Sequence, residues 1–191
     1  MTTIQLPAPI EMTMPLSQVL GRRRSRREFA ADPLDPAILS TLLWACAGRN
    51  SEDGRRTAPS AYNSLEVECF VFDARGVWRY DADAHALELV AEGDKRAMST
   101  TTQEYVHTAP VSIVFATNLT KAGRLTGSRM GDICRSVDVG VMVQNALLAA
   151  SAMGLSAVAR AGIDPEQVLA AIGATGEQYE PQMAVTVGFP A

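Results

Sequence analysis

Five arginines crowd the six positions from Arg22 to Arg27, interrupted only by Ser25. A guanidinium group can fork two N–H donors towards one anion, and a neighbouring hydroxyl adds another. The run Arg23-Arg24-Ser25-Arg26-Arg27 therefore has the composition of a phosphate clamp. The competing reading is a solvated basic face at a helix end, where arginines also complement the dipole. Taken alone, the cluster supports either.

Little else in the chain offers chemistry. His85 and His107 stand at no metal-ligand spacing to each other or to a cysteine, which argues against zinc or iron. No GxSxG occurs, no GxGxxG follows a strand, and no P-loop lysine is found, so neither a hydrolytic triad nor a Walker-type phosphoryl transfer has a foundation. Asp81 and Asp83 fall in a turn and read as solvated carboxylates, while His107, just before Ala109-Pro110, reads as structural. Cys46, Cys69 and Cys134 are odd in number, widely spaced and set in apolar sequence, as expected of buried thiols in a reducing compartment.

The elements that must position these residues fit one domain. The 191 residues are 47% hydrophobic and 20% charged, enough to bury a core, and a net charge of −4 excludes holding nucleic acid by bulk electrostatics. Pro7, Pro9 and Glu11 interrupt any apolar leader, and Val137 to Leu155 carries Asp138, Gln144 and Asn145, so the expectation is a soluble, cytoplasmic protein. Residues 1–14 read as an extended arm and 15–191 as the domain. Pro15 to Leu20 opens a short helix, with Gly21 a possible break before the arginines. Asp35-Pro36 starts a second helix that places Ile38, Leu39, Leu42, Leu43 and Cys46 on one face and stops at Gly48. Residues 48–64 form a loop; 67–72 and 77–80 form a hairpin around Asp73-Ala74-Arg75-Gly76. Further along, the pattern predicts a helix over 94–103, a buried strand over 111–117, and a long apolar central helix from Gly131 to Met153 capped by Gly154. A strand over 155–161, a helix from Asp164-Pro165 to Gly173 and a strand over 183–188 complete the chain. Helices and strands mix without βαβ alternation, so the class is α+β with a mostly antiparallel (mixed) sheet.

At this point three segments resemble one family in order and spacing. Arg23-Arg24-Ser25-Arg26-Arg27-Glu28-Phe29 is similar to the RRSxRxF signature of the FMN-binding nitroreductase family. Ala58-Pro59-Ser60-Ala61-Tyr62-Asn63 resembles its PSxxN loop, and Gly154-Leu155-Ser156-Ala157 resembles the GLG segment after its central helix. Leu6-Pro7, Leu42-Leu43-Trp44-Ala45 and the Gly76-to-Tyr80 strand look more specifically like the SagB-type, thiazole-oxidase-like branch. The resemblance covers residues 6–190. It implies a nitroreductase-like fold, helices flanking a central sheet around a long buried helix, in a domain-crossed homodimer with FMN at the subunit interface.

Carried over residue by residue, it implies that Arg23, Arg24, Ser25 and Arg27 bind the FMN phosphate and neighbouring oxygens. Pro59, Ser60, Ala61 and Asn63 would come from the partner subunit to line the isoalloxazine, and Gln103 would contact the ribityl chain. Leu155, Ser156 and Ala157 would lie at the flavin, the last two presenting backbone N–H groups to its O4 and N5 edge. No protein nucleophile is then required, because the cofactor carries the redox chemistry. The implied function is an FMN-dependent oxidoreductase in which NAD(P)H and then a nitroaromatic, quinone or similar acceptor use one site. The alternatives are a SagB-type dehydrogenase acting on a peptide or small molecule, and a flavin- or phosphate-ligand-binding protein without turnover.

Two departures matter. Many nitroreductases carry basic residues after the last strand that complete the phosphate site; here Gly188-Phe189-Pro190-Ala191 follow, so phosphate binding rests on the arginine cluster with Arg160 as a further candidate. Azoline-oxidising SagB enzymes use a Lys-Tyr pair, which this sequence lacks. Residues 119–131, with Tyr105, are expected to cover the flavin and set specificity, and Arg124 or Arg129 could receive an anionic group.

Overall fold

Val67–Phe72 is buried at every position, the mark of a strand covered on both faces, and the rest of the fold is built outward from it. The computed structural model describes residues 2–191. Strand β2 (Val67–Phe72) turns back into β3 (Gly76–Asp81) through Asp73, whose carboxylate accepts from the N–H groups of Arg75 and Gly76 at 2.8 and 3.0 Å. A third antiparallel strand, β4 (Ala86–Glu92), lies against β3, and β1 (Thr3–Gln5) pairs with β4 at the edge. On the other side of β2 come β5 (Val111–Asn118), β7 (Tyr179–Gly188) and β6 (Ser156–Arg160), giving a seven-stranded sheet of order β1-β4-β3-β2-β5-β7-β6. Every strand pair is antiparallel.

Helices cover the two faces. On one, α2 (Pro36–Ala47) and α4 (Arg129–Ala152) bury Leu42, Leu43, Cys46, Val139, Val143 and Ala146 against Cys69, Val71, Ile113 and Phe115. On the other, α5 (Pro165–Ile172) sets Val168 and Ile172 against Phe70, Phe72 and Val114. Two shorter helices, α1 (Leu16–Arg22) and α3 (Leu119–Ala122), lead into the arginine run and the segment before α4. Helix α4 is long and apolar enough to cross a membrane by length and composition, yet it is the core helix of this fold.

Several boundaries differ from the sequence expectation for identifiable reasons. Residues 94–103 form only a 3-10 turn at Arg96–Ser99, with another at Glu104–His107. Thr100, Thr101 and Thr102 are β-branched and lose side-chain freedom in a helix, while Asp94 spends its carboxylate on Arg96. Strand β7 begins at Tyr179, four residues before its expected start. Pro181 is tolerated because β6 reaches only as far as Ala184 and because the β5–β7 register shifts between Phe115 and Ala116, next to it. Helix α1 runs through Gly21 rather than breaking there. The first residues do not hang free: β1 adds an edge strand, and Leu6 is buried.

The start of α4 is fixed by Ser128, whose hydroxyl accepts from Gly131 N–H at 3.1 Å, and by close packing of Gly131 on the preceding turn. A methyl at Gly131 would stand 2.2 Å from the Leu125 carbonyl oxygen. Helix propensity alone favours alanine over glycine by about 1 kcal/mol, whereas overpacking against rigid backbone costs about 1–3 kcal/mol. Gly131→Ala is therefore expected to lower the unfolding free energy in chemical denaturation by up to about 2 kcal/mol, the difference of those terms. A higher value would contradict this packing.

Candidate cofactor site

After α1 the chain extends along the free edge of β6. Ser25 forms a single parallel bridge to Ala157, the Arg26 N–H donates to the Ala157 carbonyl at 3.0 Å, and Ala30 N–H donates to Phe189 O at 3.0 Å. This docking brings two of the three family-like segments together. Between the arginines and the C-terminal end of α4 lies a cavity of about 370 Å³, lined by Arg23, Arg24, Arg26, Ser151, Leu155 and Ala157 among others. The Arg24 guanidinium donates to the carbonyls of Gly21 and Arg23. Among the described residues no carboxylate forms an ion pair with any arginine from Arg22 to Arg27, although nine ion pairs form elsewhere. Five like charges held together without a counter-charge make an electropositive surface suited to a phosphate. In this respect the residues fit FMN.

The remaining expected residues take up different positions. Ser25 and Arg27 are exposed and outside the cavity lining, whereas Arg26, absent from the expected set, is part of it. Leu155, Ser156 and Ala157 are buried. Ser156 pairs with Gly188 across the β6–β7 ladder, and Ala157, bridged to Ser25 and accepting the Arg26 N–H through its carbonyl, holds the arginine segment to the sheet. The Gln103 side-chain carbonyl accepts from the Thr100 hydroxyl, and its amide group packs on Gly162.

Arg160 is no part of the arginine cavity. It is 4% exposed and donates to Thr186 Oγ1 at 2.9 Å, to the Ser99 carbonyl at 2.9 Å and to Ser112 Oγ at 3.3 Å. Burial without a carboxylate partner pulls its pKa down to about 10.

Of the four expected loop residues, Pro59 and Ser60 line a different and smaller cavity, together with Cys46, Arg56, Asp138 and Met142, while Ala61 and Asn63 lie outside its lining. Within one chain the arginines and this loop thus line separate cavities. Tyr62, Asn63 and Leu65 all have positive φ, at 56°, 53° and 51°, a concentration of left-handed backbone unusual outside glycine. Ser60 Oγ accepts from Leu65 N–H at 3.0 Å, and Ala61 N–H donates to Asp138 Oδ2 at 2.8 Å. Tyr62 is 68% exposed with the Arg124 guanidinium 4.5 Å from its ring centroid, which joins the loop to residues 119–131.

One cluster has no counterpart in the sequence motifs. Glu68 accepts from Lys121 Nζ at 2.6 Å, from Asn118 at 3.1 Å and from the Tyr179 hydroxyl at 2.8 Å. Burial pushes its pKa up, but these donors outweigh it and hold the carboxylate below its ordinary range. Lys121 and Tyr179 therefore meet in space although far apart in sequence, and Lys121 is committed to an ion pair.

Comparison with known proteins agrees with this architecture. Residues 20–189 match the family model described as the nitroreductase family. A curated relative from Methanocaldococcus jannaschii that carries a nitroreductase name is 30% identical over 166 residues, 82% of this chain and 83% of that protein. A crystal structure from Ralstonia eutropha JMP134, also bearing a nitroreductase name, is 36% identical and superposes with a TM-score of 0.91 over 99% of this chain and 90% of that one. A nitroreductase-named structure from Desulfovibrio desulfuricans in complex with FMN shares the fold at 21% identity, with a TM-score of 0.68 over 93% and 87% of the two chains. With the arginine segment laid on β6, the strained loop below α4 and this extent of likeness, the chain belongs to the nitroreductase family, whose members are flavin-dependent oxidoreductases.

Proposed function

We propose that this protein is an FMN-dependent oxidoreductase that works as a homodimer, taking electrons from NAD(P)H and passing them to a nitroaromatic, quinone or similar acceptor at the same site. The observation that carries the proposal is the uncompensated arginine run at the cavity beside β6. Bound FMN would supply two-electron chemistry at its isoalloxazine ring. In this reading Arg23, Arg24, Ser25 and Arg27 hold the phosphate, and Arg26 adds positive potential from the cavity wall. Pro59, Ser60, Ala61 and Asn63 reach the ring from a second copy, which is consistent with Pro59 and Ser60 lining a cavity separate from that of Arg23 and Arg24 within one chain. The Ala61 N–H is already committed to Asp138, so Ala61 contributes shape rather than a hydrogen bond.

A second copy is also favoured by the exposed apolar side chains of α4. Met130, Ile133 and Val137 recur at helical spacing and are 66%, 47% and 56% exposed, an apolar stripe with no cover in the single chain. The SagB-type dehydrogenase reading draws less support, since Lys121, although near Tyr179, is tied to Glu68 rather than free to take a proton.

Purified protein is expected to carry FMN, visible in its absorption spectrum, and Arg23→Ala with Arg27→Ala is expected to release the flavin while size-exclusion chromatography still shows a dimer. Unchanged flavin content would make these arginines a solvated face. Inorganic phosphate at ten times its dissociation constant should stabilise the flavin-free protein by about 1.4 kcal/mol relative to chloride at equal ionic strength. No difference between the two salts would remove the anion site. Anaerobic addition of NADH or NADPH should bleach the bound flavin within one turnover; flavin that stays oxidised under both would favour a dehydrogenase fed by its own substrate.

A further inference from the structure

Among the described residues two arginines stand over an aromatic ring, and they differ in what else they do. Arg75 lies 5.1 Å from the Trp78 ring centroid, but its Nε and Nη2 donate to the Asp73 carboxylate at 3.0 and 2.7 Å. Arg124 lies 4.5 Å from the Tyr62 ring centroid, and among the described residues its guanidinium forms no ion pair or hydrogen bond. A ring face attracts a cation without accepting its N–H groups, so all the donors of Arg124 stay available at an exposed position.

The surrounding charges leave it that way. Residues 119–131 contain no aspartate or glutamate, while Lys121, Arg124 and Arg129 make the segment basic. Carboxylates that pair with neighbouring cations are already taken, Glu68 by Lys121 and both Asp132 and Glu180 by Arg135.

Both members of the stack are fixed from behind. Tyr62 is held at φ 56° inside a tight turn, in which Asn63 N–H donates to the Ser60 carbonyl at 3.0 Å and Ser64 N–H to the Ala61 carbonyl at 3.1 Å. Arg124 sits between Ala122 and Leu125, each 1% exposed, and the Thr126 N–H and hydroxyl both donate to the carbonyl of Gly123, at 3.1 and 2.8 Å. The Leu125 carbonyl in turn accepts from Arg135. A guanidinium held this way loses less freedom on meeting an anion than a free arginine does. Its planar fork matches the two oxygens of a carboxylate, and the largely uncovered Tyr62 ring, 68% exposed as a residue, suits an aromatic group attached to that carboxylate.

We propose that Arg124, held on Tyr62, is a specificity-determining residue that receives the carboxylate of an aromatic acceptor, so that nitroaromatic and quinone carboxylates are preferred over their neutral counterparts. This rests on the reading of the Pro59 to Asn63 loop as a wall of the flavin site on a second copy, which puts the reducible group of the acceptor at the flavin and its carboxylate at the rim. For a nitro group the first reduction breaks an N–O bond: NAD(P)H gives up a hydride and becomes NAD(P)+, a proton comes from solvent, and the products are a nitroso group and water. The carboxylate is unchanged throughout and serves only to bind.

The paired probes 4-nitrobenzoate and 4-nitrobenzamide are similar in size and differ in charge. Equilibrium dialysis against protein with and without FMN reads their binding without turnover. Wild-type protein should bind the benzoate about tenfold more tightly, the scale of a charge-assisted bond partly screened by water, and the excess should shrink in about 0.5 M salt. Arg124→Gln should bring the ratio close to unity, and Tyr62→Leu should lower it with the charge still present. Tyr62→Phe keeps the ring face and should keep the ratio. In anaerobic turnover the Arg124→Gln loss should appear as a higher KM for the benzoate rather than a lower kcat, because the contact is the same before and during reduction. Equal binding of the two probes by the wild type, or a ratio that survives Arg124→Gln or Tyr62→Leu, would overturn the proposal. A protein that takes up no FMN yet shows the Arg124-dependent ratio would defeat the cofactor reading alone. One that carries FMN bleached by NAD(P)H but binds the two probes alike would defeat the carboxylate subsite alone.

Discussion

Mutual repulsion among the guanidinium groups of residues 22–27 is the constraint around which the molecule is arranged. Like charges this close oppose a fixed backbone, and water screening is the cheapest relief. The chain gives up part of that relief by pinning the segment through Ser25 and Arg26 to Ala157 and through Ala30 to Phe189. What makes the pinning possible is the sheet order: β6 is the last strand, so one of its edges is free to receive an extended segment. Positive charge is thereby presented to a cavity rather than dispersed, and an anion that enters it removes the repulsion at the same stroke.

On the proposed function, the same arrangement explains how so small a chain would serve a large planar cofactor. The loop at Pro59 to Asn63 sits under α4 and away from the arginine cavity, and α4 itself leaves Met130, Ile133 and Val137 without cover. A twofold partner that buries such a stripe could bring the loop of one copy to the arginines of the other, since an isologous interface repeats every contact twice. In the proposed arrangement the strain stored at Tyr62, Asn63 and Leu65 would keep the loop in a shape for the other copy that its own residues do not prefer.

Features carried by local pattern were legible in the sequence. The arginine run, the helix begun by Asp35-Pro36, the long apolar helix and the hairpin around Asp73 all announce themselves within a dozen residues or so, and the three family-like segments did the rest. Features made by tertiary pairing were not. The strand Ala86–Glu92 mixes leucine, alanine and glutamate, which favour a helix intrinsically, and is held extended only by β3 and β1 on either side. Residues 3–5 are strand only because β4 offers an edge. Lys121 and Tyr179, brought together on Glu68, are joined by folding across long stretches of chain, and nothing near either residue foretells its partner. The buried thiols expected at Cys46 and Cys69 are indeed buried, whereas Cys134 on α4 is only partly so. Arg160 illustrates the opposite error: a basic residue near a basic site suggests an anion ligand, but β6 alternation carries its side chain to the other face of the sheet, among Ser112 and Thr186.

Subunit complementation tests most directly whether each site is built from two chains. One variant would carry Arg23→Ala and Arg27→Ala, the other Ser60→Glu in the loop, each purified free of flavin and then mixed under conditions that exchange subunits. If arginines and loop come from different copies, every heterodimer regains one unaltered site, and random exchange should restore flavin binding at about a quarter of the wild-type site count. If both come from the same copy, no heterodimer contains an unaltered site and the mixture stays colourless, which would contradict the account.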